Sequence, residues 1–369
     1  MTKAAELAKM GEVLTNSQIG GRRNIIINGA MQVAQRGTSF TYGGGAYNLD
    51  RFYALDGTDG TFTVEQSTTA PADFTNSLKV TITTADSSVG ASQYASLRQN
   101  IEGFNCSQLN WGSSDAQTVT LSFYVRSSVT GTFGGSLLNA GTRSYPFTYT
   151  ISSADTWERI LVTIDGDTTG TWATDNTVGI NVNFNIGNGS TFTNTAGAWA
   201  SGAYYGATGE VNLIETLNAT FFITGIQLEV GEQATPFEHR SYAEELELCK
   251  RYFQKFGGGA NKHIAHVYAP STSELALILR FAPEMRVTPS VDWSSDTTDL
   301  TYRYNANNSQ NFDRGNLNND GGLGQVTPQG GSMWISGWSH GQSSNDGGEI
   351  RVLSVSPEEF LFLQFDSEL

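Results

Sequence analysis

The chain has 369 residues, long enough for about two or three domains with hydrophobic cores, and a formal net charge of −15. This charge argues against nucleic acid as a partner, because a phosphate backbone needs a surface rich in Lys and Arg. It also disfavours binding to anionic membranes, and we expect no membrane insertion because no hydrophobic run reaches transmembrane length. The only cysteines, Cys106 and Cys249, predict neither a disulfide framework nor a cysteine metal cluster.

The first predicted element is a short helix within residues 1–23. Ala4, Leu7, Met10 and Leu14 recur at spacings of three and four residues, which places them on one helix face. A helix this short is not stable alone in water. We therefore expect Leu7 and Leu14 to contact a partner, either another structure or copies of the same chain. The first residues also lack the apolar core of a signal peptide.

Residues 24–240 are dominated by strand patterns separated by turns. Apolar and polar residues alternate in 178–186, VGINVNFNI, and again in 118–126, TVTLSFYVR. Further strands are predicted at 61–66, 78–83, 145–151, 157–164 and 220–230. Such alternation with frequent turns is typical of antiparallel sheets, so the sequence predicts a mainly β protein with a β-sandwich or jelly roll.

A short amphipathic helix is predicted in the connecting segment, residues 241–259. Ser241 and Glu244 stand in capping-box positions. The apolar residues that follow recur at spacings of 4, 3, 4 and 3, which is typical of a packing seam: Tyr242, Leu246, Cys249, Phe253 and Phe256. The seam can pack against its own sandwich or against other copies of the chain. The glycines at 257–259 then predict a flexible joint.

Residues 260–369 predict a second, smaller β domain. Its strands are expected at 263–269, 274–281, 287–293, 299–304, 332–338, 349–355 and 360–366. The segment 305–331 is rich in Asn and Gly, which predicts a long exposed loop.

Several stretches taken together resemble tail-fibre or related receptor-binding virion proteins of tailed bacteriophages. The most specific are QLEVG followed by ATPFEHR and then CKRYF, all within residues 222–256. The others are NIIINGAMQVAQRGTSF at 24–40, LDRF at 49–52, the segment 145–176, PEMRVTPSV at 283–291 and the closing FDSEL. The resemblance covers most of residues 24–291, whereas 305–340 match no known pattern.

The resemblance implies a carbohydrate-binding-module-like jelly roll, then a short helix and a small β tip domain. It implies a non-enzymatic, homotrimeric virion appendage, anchored to other virion proteins through its N-terminal segment. Its β domains would face a host surface polysaccharide or lipopolysaccharide. In this trimer Leu246, Cys249 and Phe253 would join Leu7 and Leu14 as contact residues. Two alternatives stay open: a structural virion component such as a capsid fibre, collar or decoration protein, and a glycan-degrading tailspike.

Aromatic residues of the C-terminal domain are candidates for glycan binding, because sugar rings stack on aromatic side chains. Strand alternation places Trp334, Trp338 and His340 on one face, and Tyr302 and Tyr304 share a face of another strand. The alternative is that the tryptophan face belongs to the core. It carries more weight, since large aromatic residues are mostly buried.

Polar residues of the sandwich form a second candidate surface. Asn181, Asn183 and Asn185 alternate with the apolar residues of their strand, as Tyr124 and Arg126 do in theirs. If these two strands are neighbours, their outward side chains form a ladder of hydrogen-bonding groups in a glycan cleft. The alternative, an ordinary solvated sheet face, is common in antiparallel sheets.

Metal and catalytic signals are weak, so we expect neither a metal, a cofactor nor an enzymatic activity. The run DGDTTG at 165–170 begins like a calcium-binding loop but lacks the later ligands. His263 and His266 fall on opposite faces of a predicted strand. Jelly-roll sugar modules often hold a structural calcium ion, but Gln32 and Gln227 stand where carboxylates are expected. No catalytic motif occurs, although a pair of carboxylates can still meet in the fold.

Overall fold

The computed structural model of the chain describes residue 3 and residues 23–42, 44–257, 263–271, 274–293, 300–305, 308–312, 326–336, 347–352 and 362–369. The chain divides into two compact units. The first ends at Glu245 and also contains Leu369, and the second runs from Leu246 to Glu368. Most of the predicted N-terminal helix lies outside the described residues.

The first unit is an antiparallel β-sandwich, which confirms the predicted fold class. Its back sheet consists, in spatial order, of β1 (Ser39–Tyr42), β4 (Thr61–Ser67), β5 (Ser77–Thr84), β15 (Thr220–Val230), β7 (Val119–Ser127) and β10 (Glu158–Ile164). Its front sheet consists of β13 (Ala200–Ser201), β9 (Arg143–Ile151), β8 (Gly131–Leu138), β11 (Val178–Asn188), β6 (Tyr94–Glu102), β3 (Phe52–Asp56) and β2 (Ala46–Tyr47). The short strands β12 (Thr193–Asn194) and β14 (Gly206–Ala207) pair in parallel.

Apolar side chains from both sheets meet to form the core of the first unit. Along β11, Ile180, Val182, Phe184 and Ile186 are buried. The ring centroids of Phe184 and Phe123 of β7 lie 5.1 Å apart, so the two sheets pack through these rings. The alternation predicted for 178–186 and 118–126 is therefore confirmed, and each such side chain contributes about 1.5–3 kcal/mol by leaving water.

The sequence analysis does not predict strands β6 and β8, and each omission has a physical reason. Gln99 of β6 points inward, where its side chain bonds the backbone N–H and C=O of Ile27 at 2.9 and 2.8 Å. This buried polar residue interrupts the apolar alternation. In β8, a Cβ atom on Gly135 would lie only 2.3 Å from the backbone oxygen of Asn183. Glycine is required there by the close approach of β11, although glycine is a weak strand former.

The predicted helix forms but is shorter than expected. Helix α1 spans Tyr242–Lys250. Its capping box is confirmed, because the Glu244 N–H donates to Ser241 Oγ at 3.3 Å and the Ser241 N–H donates to Glu244 Oε2 at 2.9 Å. Short 3₁₀ helices occur in the first unit at Gly103–Asn105, Ser107–Leu109, Ser190–Phe192 and Leu213–Glu215. Within the described ranges, none of the helices is long and apolar enough to cross a membrane.

The second unit contains a smaller and a larger antiparallel sheet. The smaller sheet consists of β16 (Phe253–Gly257), β24 (Phe362–Asp366) and β19 (Ser290–Trp293). The larger sheet consists of β21 (Asn308–Phe312), β20 (Leu300–Asn305), β23 (Gly347–Val352), β17 (His263–Ser271), β18 (Glu274–Arg280) and β22 (Gly330–Ser336). The prediction of a continuous loop over 305–331 is wrong in part, since β21 lies inside that range and pairs with β20.

The apolar seam predicted for one helix is divided between α1 and β16. Phe253 and Phe256 lie in β16, which pairs with β24 near the end of the chain. Cys249 and Phe253 are fully buried in the chain. This burial does not support the predicted contact of these two residues with another subunit, which stays a prediction. Residues 253–257 form a strand because they pair with β24, although the spacing of their apolar residues also suits a helix. Cys106 and Cys249 are both buried, and the two do not form a disulfide bond with each other.

A buried polar cluster joins the beginning and the end of the first unit. Arg240 Nη1 lies 3.3 Å from Glu245 Oε1, and Arg240 Nη2 lies 3.2 Å from Glu238 Oε2. Arg240 Nη1 also donates to the backbone oxygen of Ile26 at 3.0 Å, and Glu238 Oε2 accepts from the Asn24 N–H at 2.8 Å. The ATPFEHR motif therefore fixes the start of the domain against its end.

Replacing Arg240 with Met is expected to lower the free energy of unfolding by about 3–5 kcal/mol, because Glu238 and Glu245 lose their buried cation. Chemical denaturation measures this change. Lys79→Met is the control, since Lys79 Nζ lies 3.0 Å from Glu65 Oε2 in a partly exposed pair worth at most about 1 kcal/mol. Equal losses in the two variants would contradict the role given to Arg240.

Candidate functional site

A row of polar and aromatic residues crosses the outer face of the front sheet. Paired residues of neighbouring antiparallel strands share a face. The strand register aligns the row across β8, β11, β6, β3 and β2, in the order Ser136, Asn183, Arg98, Tyr53 and Tyr47. In a second row, Leu138 and Asn100 flank Asn181.

A cleft of about 310 Å³ lies over these rows. Its volume is at the lower end of the range of ligand pockets, roughly 300–1,000 Å³. The lining residues are Arg98, Asn100, Leu138, Asn139, Ala140, Gly141, Val178, Asn181, Ala203, Tyr205 and Leu369. The cleft is therefore walled by strands of the front sheet and by a loop segment that carries Ala203 and Tyr205.

This covering segment, residues 189–215, packs on the outer face of the front sheet. Asn185 Nδ2 donates to the backbone oxygen of Val211 at 3.1 Å. The Tyr205 ring is stacked on Phe192, with centroids 4.9 Å apart and planes within 4°. The segment turns an open polar sheet face into a bounded cleft.

Arg98 is held firmly at the base of the cleft. Its Nε donates to Asn183 Oδ1 at 2.6 Å, and Asn183 Nδ2 donates to Ser136 Oγ at 3.1 Å. The guanidinium carbon lies 4.9 Å from the centroid of the Tyr205 ring, a cation–π contact. Burial lowers the pKa of Arg98 from its ordinary value. The Nη2 atom is buried and has no hydrogen-bond partner among the described residues.

Asn100, which also lines the cleft, is held in place by two hydrogen bonds. Its Nδ2 donates to Tyr47 Oη at 3.0 Å and to the backbone oxygen of Leu369 at 2.8 Å. Its Oδ1 is buried without a hydrogen-bond partner among the described residues. Buried polar groups in native proteins nearly always have partners. Arg98 Nη2 and Asn100 Oδ1 both have almost no exposed surface, so the protein encloses them, and a ligand would instead meet the exposed parts of the residues that line the cleft.

The structure divides the predicted sandwich surface between two sheets. Tyr124 and Arg126 lie on the back sheet, so the predicted ladder with the β11 asparagines is wrong. Asn183 and Asn185 are on the expected face but fully buried, whereas Asn181, 6% exposed, lines the cleft. Alternation identifies the face of a strand that a residue occupies, but not the sheet that the strand joins.

The predicted aromatic residues of the C-terminal domain lie in the second unit or outside the described residues. Tyr302 and Tyr304 belong to β20, and Trp334 belongs to β22. Trp338 and His340 lie outside the described residues. Glycan binding by this set stays a prediction.

The sequence prediction missed Arg98, Asn100 and Tyr205. A signal for the first two exists in YASLRQNIE at 94–102, where Ser96, Arg98 and Asn100 alternate with Ala95 and Leu97. This is the same pattern that identified β11. Tyr205 lies in an irregular segment, so no periodic signal marks it.

The weak metal signals have structural explanations. Asp167 of the DGDTTG run forms a bidentate pair with Arg143, with N–O distances of 2.7 and 2.8 Å. Gln227 Nε2 donates to Glu229 Oε1 at 2.8 Å, and Gln227 Oε1 accepts from the Glu238 N–H at 2.8 Å. The described part of the chain contains no group of three or more His, Cys, Asp or Glu side chains placed to hold a metal ion.

Glu210 is a carboxylic acid of the covering segment that glycines accommodate. A Cβ atom on Gly134 or Gly206 would lie 1.7 or 2.1 Å from a carboxylate oxygen of Glu210, so both glycines make room for this side chain. Glu210 Oε2 accepts from the Ala207 N–H at 2.9 Å. Burial raises the pKa of Glu210 from 4.5 to about 8.

The raised pKa of Glu210 predicts that the protein loses stability as the pH rises from 4.5 to about 8. The folded state holds the proton more tightly than the unfolded state does, so the contribution is complete below pH 4.5 and is lost as the pH rises through about 8. Glu210→Gln should flatten the dependence of the unfolding free energy on pH over this window, whereas Glu232→Gln, at an exposed carboxylate, should leave it unchanged. Denaturation series at several pH values measure both slopes. Parallel slopes for wild type and Glu210→Gln would refute this assignment.

A scan against models of known protein families finds no match for the chain, and a search among curated proteins finds none either. Among solved structures, the enzymatically active domain of bacteriophage CBA120 tailspike protein 4 matches with a TM-score of 0.30 and 12% identity, over 56% of this chain and 21% of that chain. A family 11 carbohydrate-binding module of a Clostridium thermocellum cellulosomal cellulase matches with a TM-score of 0.28 and 12% identity, over 50% of this chain and 91% of that chain.

The module TmCBM61, solved in complex with β-1,4-galactotriose, matches with a TM-score of 0.28 and 8% identity, over 57% of this chain and all of that chain. This chain therefore spans about a fifth of the tailspike domain and nearly the full length of the two carbohydrate-binding modules. At such TM-scores and identities the functions of these proteins do not transfer, and the function proposed below rests on the residues of the cleft and on the sequence motifs.

Proposed function

We propose that the chain is an attachment protein of a tailed-bacteriophage virion and that its front-sheet cleft binds a host-surface glycan. The observation that supports glycan binding is the bounded cleft itself, which is lined by polar residues such as Asn139 and Asn181 beside the half-buried ring of Tyr205. Sugar hydroxyls both donate and accept hydrogen bonds, and the C–H face of a sugar ring packs on an aromatic side chain.

The virion role rests on the resemblance of the sequence motifs. An anchored N-terminal segment would hold the β units outward, toward the host surface. Three copies on one appendage would present three clefts, and simultaneous binding would multiply a weak affinity without any new contact.

Binding is favoured over hydrolysis by the composition of the cleft. Glycoside hydrolases use a pair of carboxylates on either side of the scissile bond. No Asp or Glu side chain is among the described residues that line the cleft. Incubation with host polysaccharide should therefore release no new reducing ends, and sustained release would favour a glycan-degrading tailspike.

A structural virion protein without a receptor role is the remaining candidate. It would bind no cells of any susceptible host, while its absence would block particle assembly. An attachment protein instead binds host cells as a purified protein and competes with the intact phage.

Glycan binding is tested by comparing tyrosines on the two sheets. Tyr205 is stacked on Phe192 beside the cleft, and Tyr124 packs against Phe74 on the back sheet, with centroids 4.9 and 5.3 Å apart. For a glycan found on an array, Tyr205→Leu should weaken binding about tenfold, because an aromatic contact worth about 1.4 kcal/mol is lost. Calorimetry measures the dissociation constant. Tyr124→Leu should bind like wild type, and an equal loss in both variants would exclude the cleft as the binding site.

Trimer formation is tested at the part of α1 that is exposed to solvent. Leu246 is half-buried and Tyr242 is 56% exposed, in contrast to Cys249 and Phe253. We expect a trimeric mass in light scattering and partial dissociation of Leu246→Asp, because a charge does not fit an apolar contact. Leu217→Asp, at another exposed leucine, is the control. A monomeric wild type, or an unchanged Leu246→Asp variant, would argue against this interface.

A further inference from the structure

We propose that the cleft binds the terminal residues of a glycan, at the end of a chain or of a side branch, and not the interior of a linear polysaccharide. This inference rests on the proposed glycan-binding function of the same cleft and adds the part of the glycan that it recognises.

The turn between β8 and β9 closes the cleft at one end of its second row of residues. Residues 139–141 of this turn line the cleft beside Leu138. Asn139 fixes the turn, because its Oδ1 accepts from the backbone N–H groups of residues 141–143 at 3.1, 2.9 and 3.0 Å. Its Nδ2 donates to the backbone oxygen of Thr171 at 3.0 Å. The turn is therefore a fixed wall.

The covering segment closes a second side of the cleft and joins the first wall. Ala203 and Tyr205 of this segment line the cleft. The Gly202 N–H donates to the backbone oxygen of Thr142 at 3.0 Å, which connects the segment to the turn. Beyond the segment, Asn183 of the first row is fully buried. The cleft therefore does not continue along the strands in this direction.

Leu369 closes the opposite end of the second row. Its backbone oxygen accepts from Asn100 Nδ2 at 2.8 Å and from Tyr47 Oη at 2.7 Å. Leu369 belongs to the same compact unit as the front sheet and lines the cleft. The row thus ends against protein groups at its β8 end and at its β6 end.

These walls leave no straight path through the cleft. Across the strands, the turn and Leu369 close both ends. Along the strands, a chain that enters past Val178, at the start of β11, meets Ala203 and Tyr205 on the opposite side. A linear polysaccharide can lie through a groove only if the groove is open at two opposite ends. The cleft therefore fits the end of a glycan, with the rest of the chain outside.

The size of the cleft agrees with this binding mode. Its volume is about 310 Å³. This value is at the lower end of the range of small-molecule pockets, roughly 300–1,000 Å³, and leaves room for about one or two sugar residues.

Recognition of ends favours branched host glycans as ligands. A linear polysaccharide has a single non-reducing end, whereas every side branch adds another. Several copies of the protein on one appendage can then bind several ends of the same glycan.

The test uses a glycan that binds on an array, prepared as fragments of one to four sugar residues with the same non-reducing end. The dissociation constant should fall up to the disaccharide and then change by less than about twofold, because further residues lie outside the cleft. A residue of another sugar, added to the non-reducing end, should weaken binding at least about tenfold, because the walls exclude the longer end. Calorimetry measures each dissociation constant.

The outcomes separate this inference from the proposed function. A dissociation constant that keeps falling up to four residues, or unchanged binding after the end is extended, would overturn end recognition and leave glycan binding intact. Failure of wild type to bind any saccharide on an array would overturn both.

Two alanine substitutions locate the site. Ala140 is exposed and lines the cleft, whereas Ala154 is exposed in the turn between β9 and β10 and does not line it. Ala140→Trp should weaken disaccharide binding at least about tenfold by filling the cleft, and Ala154→Trp should bind like wild type. Wild-type affinity in Ala140→Trp would overturn the assignment of the end site to this cleft. Thermal melting verifies that both variants fold, and if Ala140→Trp does not, the fragment series with wild type still decides whether an end is bound.

Discussion

The two sheets of the first unit pack through side chains that are mostly apolar at every second position of each strand, and this constraint determines where most of the polar residues lie. Along β11 the interior takes Val182 and Phe184, so Asn181 and Asn183 must lie on the outer face. On β6 the same rule places Arg98 and Asn100 beside them. The polar face of the front sheet is thus a consequence of core packing.

The covering segment, residues 189–215, determines which polar residues of this face are buried and which line the cleft. It buries Asn183 and Asn185, whose amides then bond other protein groups instead of solvent. Arg98, Asn100 and Asn181 of the same face line the cleft. The buried carboxyl group of Glu210 in the same segment links the stability of this cover to pH. Buried structural asparagines and the proposed glycan-binding cleft therefore share one sheet face.

The sequence predicts the bounds of strands such as β11 and β15 to within a residue or two, and it predicts the capping box of α1. It does not predict β6 or β8, because inward Gln99 and the glycine that fits against β11 are explained only by their neighbours. The pairing of β7 with β15 instead of β11 is likewise a property of the whole sheet. The ATPFEHR motif is easily recognised in the sequence. Its contacts with the start of the domain, such as the hydrogen bond from Arg240 to Ile26, cannot be predicted from the motif alone.

A crystal structure of the protein with a bound glycan that was identified on an array tests the central claim most directly. We predict that the sugar occupies the front-sheet cleft and packs against the ring of Tyr205. A sugar bound on the back sheet or only on the second unit, with the cleft filled by solvent, would contradict this account.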